Sequence, residues 1–228
     1  MTLHVFDFDG TLTTRDTLLA FIRYARGTKA FAFGFLRYSP LLVLMKLHLY
    51  PNYKAKQKVF AHFFKGMREA DFNRLCARFA AHSLYLLRPA GLEALLRALA
   101  EPGARVAVVS ASIDNWVVPF FYGTVADYGG EPVRVLGTRI EIRNGRLTGR
   151  FLTPNCYGEE KLRRLEEAFP DSRNCRLVAY GDSRGDRELL ARADEPHFRP
   201  FREAPKSAAE TNELHARLLA LTLPTCNS

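Results

Sequence analysis

Residues 3–14 read Leu3-His4-Val5-Phe6-Asp7-Phe8-Asp9-Gly10-Thr11-Leu12-Thr13-Thr14. A short apolar run that ends in acids has the pattern of a strand buried on both faces of a parallel sheet. The acids then fall at the carboxyl end of that strand, where open α/β sheets place their ligands. Two more apolar runs end in polar groups. RVAVV at 105–109 leads into Ser110-Ala111-Ser112, and RLVAY at 176–180 into Gly181-Asp182-Ser183-Arg184-Gly185-Asp186.

Outward from these strands the chain divides by style. Residues 16–87 are helical in pattern throughout: Asp16 is placed to cap a helix that stops at Gly27, and an apolar stretch 29–49 follows with Pro40 as a break or kink. Helices over 52–65, stopped at Gly66, and 69–87 complete this block. From Pro89 onward helices alternate with strands: helices over 89–100, 114–122, 159–168, 185–193 and 207–221, strands over 105–109, 133–136 and 176–180, and a short strand near His197. Asn144-Gly145 makes the turn of a hairpin. Alternation of this kind implies a parallel α/β sheet, with the helical block inserted between its first strand and the next.

The chain has 228 residues, 47% of them apolar and 25% charged, which excludes wholesale disorder and a disulfide scaffold. Its net charge of +9 is unevenly placed. The 52 residues from Thr17 to Arg68 hold ten Lys and Arg and no acid, while the rest of the chain carries 23 bases against 24 acids. An anionic partner is implied. Cys76, Cys156, Cys175 and Cys226 form no C-x-x-C pair, and the histidines show no ligand spacing, so zinc-finger and thioredoxin-type readings are excluded. The cysteines read as reduced thiols, and the N-terminus lacks a signal-peptide pattern. Together these features imply a cytoplasmic protein.

Asp7, Asp9, Asp182 and Asp186 put four carboxylates near one sheet edge. Such acids repel in a partly buried crevice unless a hard divalent cation, magnesium above all, neutralises them. With Ser110 and Lys161 beside it, the same site accepts a phosphate whose oxygens face metal, ammonium and hydroxyl. An aspartate nucleophile then divides one hard displacement into two easier ones. The bland alternatives are an Asx turn for Asp7 and Asp9, a helix cap for Asp182, and a solvated helix face for Lys161, which competes with Arg163 and Arg164. Ser112 competes with Ser110.

Asp-x-Asp-Gly-Thr-Leu-Thr, a strand-end serine, a lysine and Gly-Asp-Ser-x-x-Asp, in that order, resemble the haloacid dehalogenase-like superfamily. The helical block after the first motif and the hairpin over 138–152 resemble its phosphoserine phosphatase-like branch, subfamily IB. The resemblance implies a Rossmann-like three-layer α/β/α core (1–14 and 89–228) and an all-helical cap (15–88). It implies a phosphatase in which Asp7 attacks phosphorus and Asp9 is general acid and base. Magnesium would be held by Asp7, the Asp9 carbonyl and Asp182, with Asp186 behind them, and Ser110 and Lys161 would bind the phosphoryl group. A carboxylate at Asp9 separates phosphatases and phosphomutases from the dehalogenases and transport ATPases of the superfamily.

The resemblance to phosphoserine phosphatase is incomplete. Gly10 stands where those enzymes usually have serine, Ser-Ala-Ser replaces Ser-Gly-Gly, and Asp16 takes the place of a longer, substrate-facing glutamate. Asp16 and Ser112 remain candidates for substrate contact. The segment 29–50 is interrupted by Arg37 and Lys46, and its longest uncharged run is eight residues, against the roughly 20 a membrane span needs. Its apolar, aromatic and basic mixture suits contact with an anionic bilayer, which would place the protein at the inner face of the membrane. A haloacid dehalogenase-type phosphatidylglycerophosphatase is similar in outline. The alternative is an ordinary cap whose basic face draws small soluble phosphate esters. Phosphoserine phosphatase and phosphotransferase or mutase activities share the same nucleophile. Nucleic acid is not an expected partner, because no recognition motif accompanies the basic charge.

Overall fold

The computed structural model describes residues 1–47, 49–122, 132–202 and 207–222. Its strands are β1 (Thr2–Phe6), β2 (Arg105–Ile113), β3 (Val133–Thr138), β4 (Ile140–Arg143), β5 (Arg146–Phe151), β6 (Arg176–Gly181) and β7 (Glu195–Phe198). Five of them form one parallel sheet in the order β3-β2-β1-β6-β7. The chain steps outward from β1 to β2 and β3, then returns to β6 and β7 on the other side. The crevice at the carboxyl ends of β1 and β6 is therefore a topological switch point.

The helices are α1 (Thr17–Lys46), α2 (Asn52–Phe64), α3 (Glu69–His82), α4 (Pro89–Ala100), α5 (Asp114–Val117), α6 (Pro119–Tyr122), α7 (Glu159–Ala168), α8 (Arg187–Arg192) and α9 (Ala208–Thr222). Alternation along the strands builds the layers. Phe6, Val106 and Val108 pack with Leu92 and Leu95 of α4 and Leu214 and Leu218 of α9. Leu3, Val5, Ala107 and Val109 face the other way, onto Leu165 of α7 and Leu189 of α8. The result is the expected three-layer α/β/α arrangement.

Helices α1 to α3 all lie between β1 and β2. Asp16 caps α1 as expected, accepting from Leu18 N at 2.8 Å. Gly27, at φ +77° and ψ +164°, interrupts α1, but a second helical segment begins at once. Pro40 neither breaks nor ends this segment. Proline cannot donate to the carbonyl four residues back, and that carbonyl, Leu36 O, accepts from the Ser39 hydroxyl at 2.8 Å instead. The helix expected over 69–87 ends at His82 and closes in a 3-10 turn, Leu84–Leu86. The stretch 114–122 splits into α5 and α6, with Pro119 opening the second.

The chain enters and leaves the helical block side by side. Thr13 and Leu87 form an antiparallel bridge, Thr14 N donates to Leu86 O and Arg88 N to Leu12 O, both at 2.8 Å. The block is also joined to the rest by aromatic packing. Phe21 stacks on Trp116 with centroids 4.9 Å apart, and Phe79 meets Phe120 edge-on at 5.9 Å. The β4–β5 hairpin is fastened to it through Leu147, which exchanges backbone hydrogen bonds with Gly66 and Met67, and through Phe151 N, which donates to Gln57 Oε1. Cys76, Cys156 and Cys175 are buried free thiols, and Cys226 lies outside the described residues.

Candidate active site

Asp7 is the first residue beyond β1, and its N–H donates to Tyr180 O at 2.8 Å, which locks the ends of β1 and β6 together. A single wide turn over Phe8–Leu12 follows, closed by Thr13 N donating to Phe8 O at 2.9 Å. Gly10 sits in it at φ +84°, and a Cβ there would stand 2.6 Å from Asp182 Oδ2. The missing side chain thus lets the Asp182 carboxylate lie directly against the turn.

Lys161 comes from the first turns of α7, whose start is held by Gly158 N donating to Gly185 O at 2.9 Å. Its Nζ donates to Asp7 Oδ1 at 2.6 Å and to Asp186 Oδ1 at 2.5 Å, with all three side chains buried. Burial alone pulls Lys161 down, but the Asp7 and Asp186 charges outweigh it and hold the ammonium above the ordinary lysine value. Burial likewise pushes Asp7 up to about 7, against the opposing pull of Lys161 and with added repulsion from Asp186. The neighbouring arginines go elsewhere. Arg163 is exposed and pairs with Glu160 and Glu167, and Arg164 donates to Gly137 O.

Asp186 is fully buried, and its Oδ2 accepts from Asp182 N, Ser183 N and Ser183 Oγ at 3.2, 3.0 and 2.9 Å. These bonds shape the loop that presents Asp182. Burial raises Asp186, yet the Lys161 charge and these hydrogen bonds win and leave its carboxyl below the usual range. Asp182, partly exposed, is raised by burial and by Asp186. Carboxylate oxygens of Asp7, Asp182 and Asp186 all lie within 4.8 Å of one another. Both Asp186 oxygens are engaged, so Asp7 and Asp182 are left to offer the carboxylate oxygens that a hard divalent cation such as magnesium takes.

Asp9 is placed apart from those three. Its Oδ1 accepts from Thr17 N at 2.8 Å and Thr17 Oγ1 at 2.6 Å, at the start of α1, and its Oδ2 accepts from Ser112 Oγ at 2.5 Å. Trp116 Nε1 in turn donates to Thr17 Oγ1 at 3.2 Å. Burial and then the nearby Asp16 charge raise the Asp9 carboxyl, while the hydrogen bonds from Ser112 and Thr17 pull against them. The carboxyl is thereby held above the ordinary aspartate value, with Thr17 and Ser112 fixing both of its oxygens. Ser110 is fully buried on the same strand end, its Oγ accepting from Ser112 N at 3.0 Å. The exposed Asp16 is engaged in its helix cap.

Thr17 and Trp116 join the site without having been singled out in the sequence. Thr17 had one available signal, because the residue after a helix cap carries a free N–H. Trp116 had none, since its contact spans 99 positions.

Known proteins resemble this chain over most of its length. It is 38% identical over 208 residues to Protein CicA of Caulobacter vibrioides, covering 89% of this chain and 88% of that one. Over 109 residues it is 34% identical to a phosphoserine phosphatase of Archaeoglobus fulgidus, covering 45% of this chain and 29% of the relative. A crystal structure of a protein of unknown function from Bordetella pertussis Tohama I superposes over 98% of both chains with a TM-score of 0.70 at 20% identity, a likeness of fold. Residues 4–191 match the haloacid dehalogenase-like hydrolase family model, and the chain belongs to that family.

Proposed function

We propose that the protein is a magnesium-dependent phosphatase that hydrolyses a phosphate monoester through an aspartyl-phosphate on Asp7. The observation that carries this reading is the buried Asp7 carboxylate oriented by Lys161, within 4.8 Å of two further acids, with a separately held Asp9 beside it. Asp7 attacks phosphorus, and the ester oxygen departs with the bonding pair and takes a proton from Asp9. Asp9, now ionised, removes a proton from water, which attacks the phosphorus of the aspartyl-phosphate and frees Asp7 and inorganic phosphate. Lys161 and Ser110 hold the phosphoryl oxygens, and Thr17 and Ser112 keep the Asp9 carboxyl aimed. Asp7, the Asp9 carbonyl and Asp182 would hold magnesium, which would supply charge neutralisation for the acids and the phosphoryl oxygens. Residues 15–88 act as the cap over this site, and 1–14 with 89–228 as the catalytic core.

The substrate belongs either to phospholipid headgroup phosphates or to small soluble esters. A surface feature supports the first. Phe33, Leu36, Val43, Leu47 and Leu49 are all more than half exposed, in the segment that carries ten bases and no acid. No described helix is long and apolar enough to cross a membrane, so contact would be peripheral. Flotation with anionic liposomes at low salt tests it, and wild type left at the bottom of the gradient removes the lipid version.

The central test is a screen of phosphate esters with magnesium and with EDTA, repeated with Asp7→Asn. Turnover is expected for wild type with magnesium alone. Wild-type rates in Asp7→Asn would end the mechanism, and transfer to an added alcohol in preference to water would make the protein a phosphotransferase.

A further inference from the structure

The helical block holds a half-open cavity of about 320 Å³ between the two halves of α1 and α2. Its wall is almost wholly apolar, built from Leu18, Ile22, Phe31, Phe35, Tyr38 and Phe63 among others, and its polar members are Asp16 and Lys56. Leu19 and Phe35 in its wall are each more than two-fifths exposed, so the cavity opens to solvent. Here the packing is elsewhere tight. Gly34 brings α1 so close to α2 that a Cβ would stand 2.2 Å from Phe63 Cζ. The groove thus lies beside a close contact of α1 with the Phe63 ring.

Its position ties it to the chemistry. Asp16 and Leu18 both line the cavity, and the residue between them, Thr17, donates both its N–H and its hydroxyl to Asp9. Asp9 is the group from which the departing alcohol would take its proton. The wall of the cavity therefore begins one residue to either side of the group that holds Asp9. The opposite charges of Asp16 and Lys56 offset one another, and apart from these two and Tyr38 the lining offers a polar substituent no partners, so what fits is hydrocarbon.

We propose that this cavity seats the apolar chain of the substrate, which makes the substrate a phosphate monoester of an alcohol carrying an alkyl or acyl chain. This deepens the phosphatase reading and rests on it for the placement of the leaving group. At about 30 Å³ for a water-sized group, the cavity takes roughly ten methylene-sized groups. Each methylene buried strengthens binding about three- to fourfold.

The test uses a series of straight-chain alkyl phosphates from ethyl to dodecyl, kept below micelle concentration, and the matching non-hydrolysable alkyl phosphonates. Affinity for the phosphonates, by calorimetry, and kcat/KM for the phosphates are expected to rise about threefold per methylene and to level off near ten carbons. Leu19→Trp, a partly exposed position in the cavity wall, is expected to flatten the series. Tyr38→Ala should move the plateau to longer chains, and Phe33→Ser on the outer face should leave the slope as it is. A flat wild-type series in the phosphonate binding overturns the proposal, and so does a slope that Leu19→Trp and Tyr38→Ala leave untouched while Phe33→Ser abolishes it. Chain-dependent phosphonate binding without turnover of any ester would keep the cavity assignment and overturn the phosphatase reading. Because the alkyl phosphates are free in solution, a membrane is not needed for the effect; adding anionic vesicles then shows whether the chain is drawn from a lipid or a soluble ester.

Discussion

Lys161 Nζ stands 2.6 Å from Asp7 Oδ1 and 2.5 Å from Asp186 Oδ1, so that one buried cation from α7 joins an acid at the end of β1 to an acid in the loop after β6. Three charges taken out of water are costly, and replacing such a group by apolar side chains often stabilises a protein. Its retention here is understood through the site it organises. The ammonium engages Asp7 Oδ1, which in the proposed mechanism leaves the other oxygen to attack phosphorus.

Removing the cation alone leaves two acids facing each other in the interior. Lys161→Met should cost about 3–5 kcal/mol of stability without divalent ion, read as a lower midpoint in urea. Magnesium should restore part of the loss, since it opposes the same repulsion, whereas kcat should stay about 10²–10³ below wild type. Unchanged stability in metal-free buffer would refute the assignment of Lys161 as the partner of both acids.

Asp7 gives a pH dependence whose sign follows from its raised value. The unfolded carboxyl titrates near 3.8 and the folded one near 7, so the folded state binds the proton more tightly. Stability from this group is complete below pH 4 and is lost as pH rises to about 7. Ionised Asp7 therefore burdens the metal-free fold at pH 8, and Asp7→Asn should relieve it by about 1–3 kcal/mol, roughly 3–10 °C at this chain length. The advantage should shrink steadily between pH 7 and pH 4. Thermal melts of both proteins in EDTA across that range measure it, and a variant less stable than wild type at pH 8 contradicts it.

Asp9 is balanced differently, by burial and Asp16 on one side and by hydrogen bonds from Ser112 and Thr17 on the other. Ser112→Ala removes one donor that favours the ionised form, so the carboxyl should keep its proton to higher pH. The alkaline limb of the kcat/KM profile should then move upward, while kcat/KM itself falls about tenfold because the acid is less well aimed. A lower rate with an unmoved limb would assign Ser112 a purely structural role.

The strand ends were readable because a buried parallel strand is a local pattern, and two of the four acids follow directly on such runs. The helix that carries Lys161 was readable to the residue at both ends. Which base on it faces the acids was not set by the helix pattern, since Lys161, Arg163 and Arg164 are near neighbours; the family resemblance pointed to Lys161, which does meet them. The structure decides it through Glu160 and Glu167, which hold Arg163 on the outer side. Of the break or kink expected at Pro40, the break is absent: the helix runs on to Lys46, and the carbonyl that proline leaves without a donor accepts from Ser39, a rotamer no periodicity contains. The cavity in the helical block lay beyond reach for the same kind of reason. The apolar residues of α1 and α2 marked faces to be buried, but how completely they fill the space between them depends on packing across separate segments.

The three acids near Gly10 lead to the last expectation. Divalent ion bound to the folded chain alone stabilises it by mass action, about 2.7 kcal/mol when present at a hundredfold excess over its dissociation constant. Magnesium should therefore raise the melting temperature of wild type, and by more at pH 8 than at pH 5, because protons compete for Asp7 as the pH falls through 7. Asp182→Asn is the informative variant. Asp182 is partly exposed and its side chain makes no buried hydrogen bond among the described residues, so the metal-free variant should fold as well as wild type. It lies within 4.8 Å of the other two acids, so the magnesium-dependent shift should largely vanish with its charge. An equal shift in the variant and wild type would place the ion elsewhere and remove Asp182 from its binding.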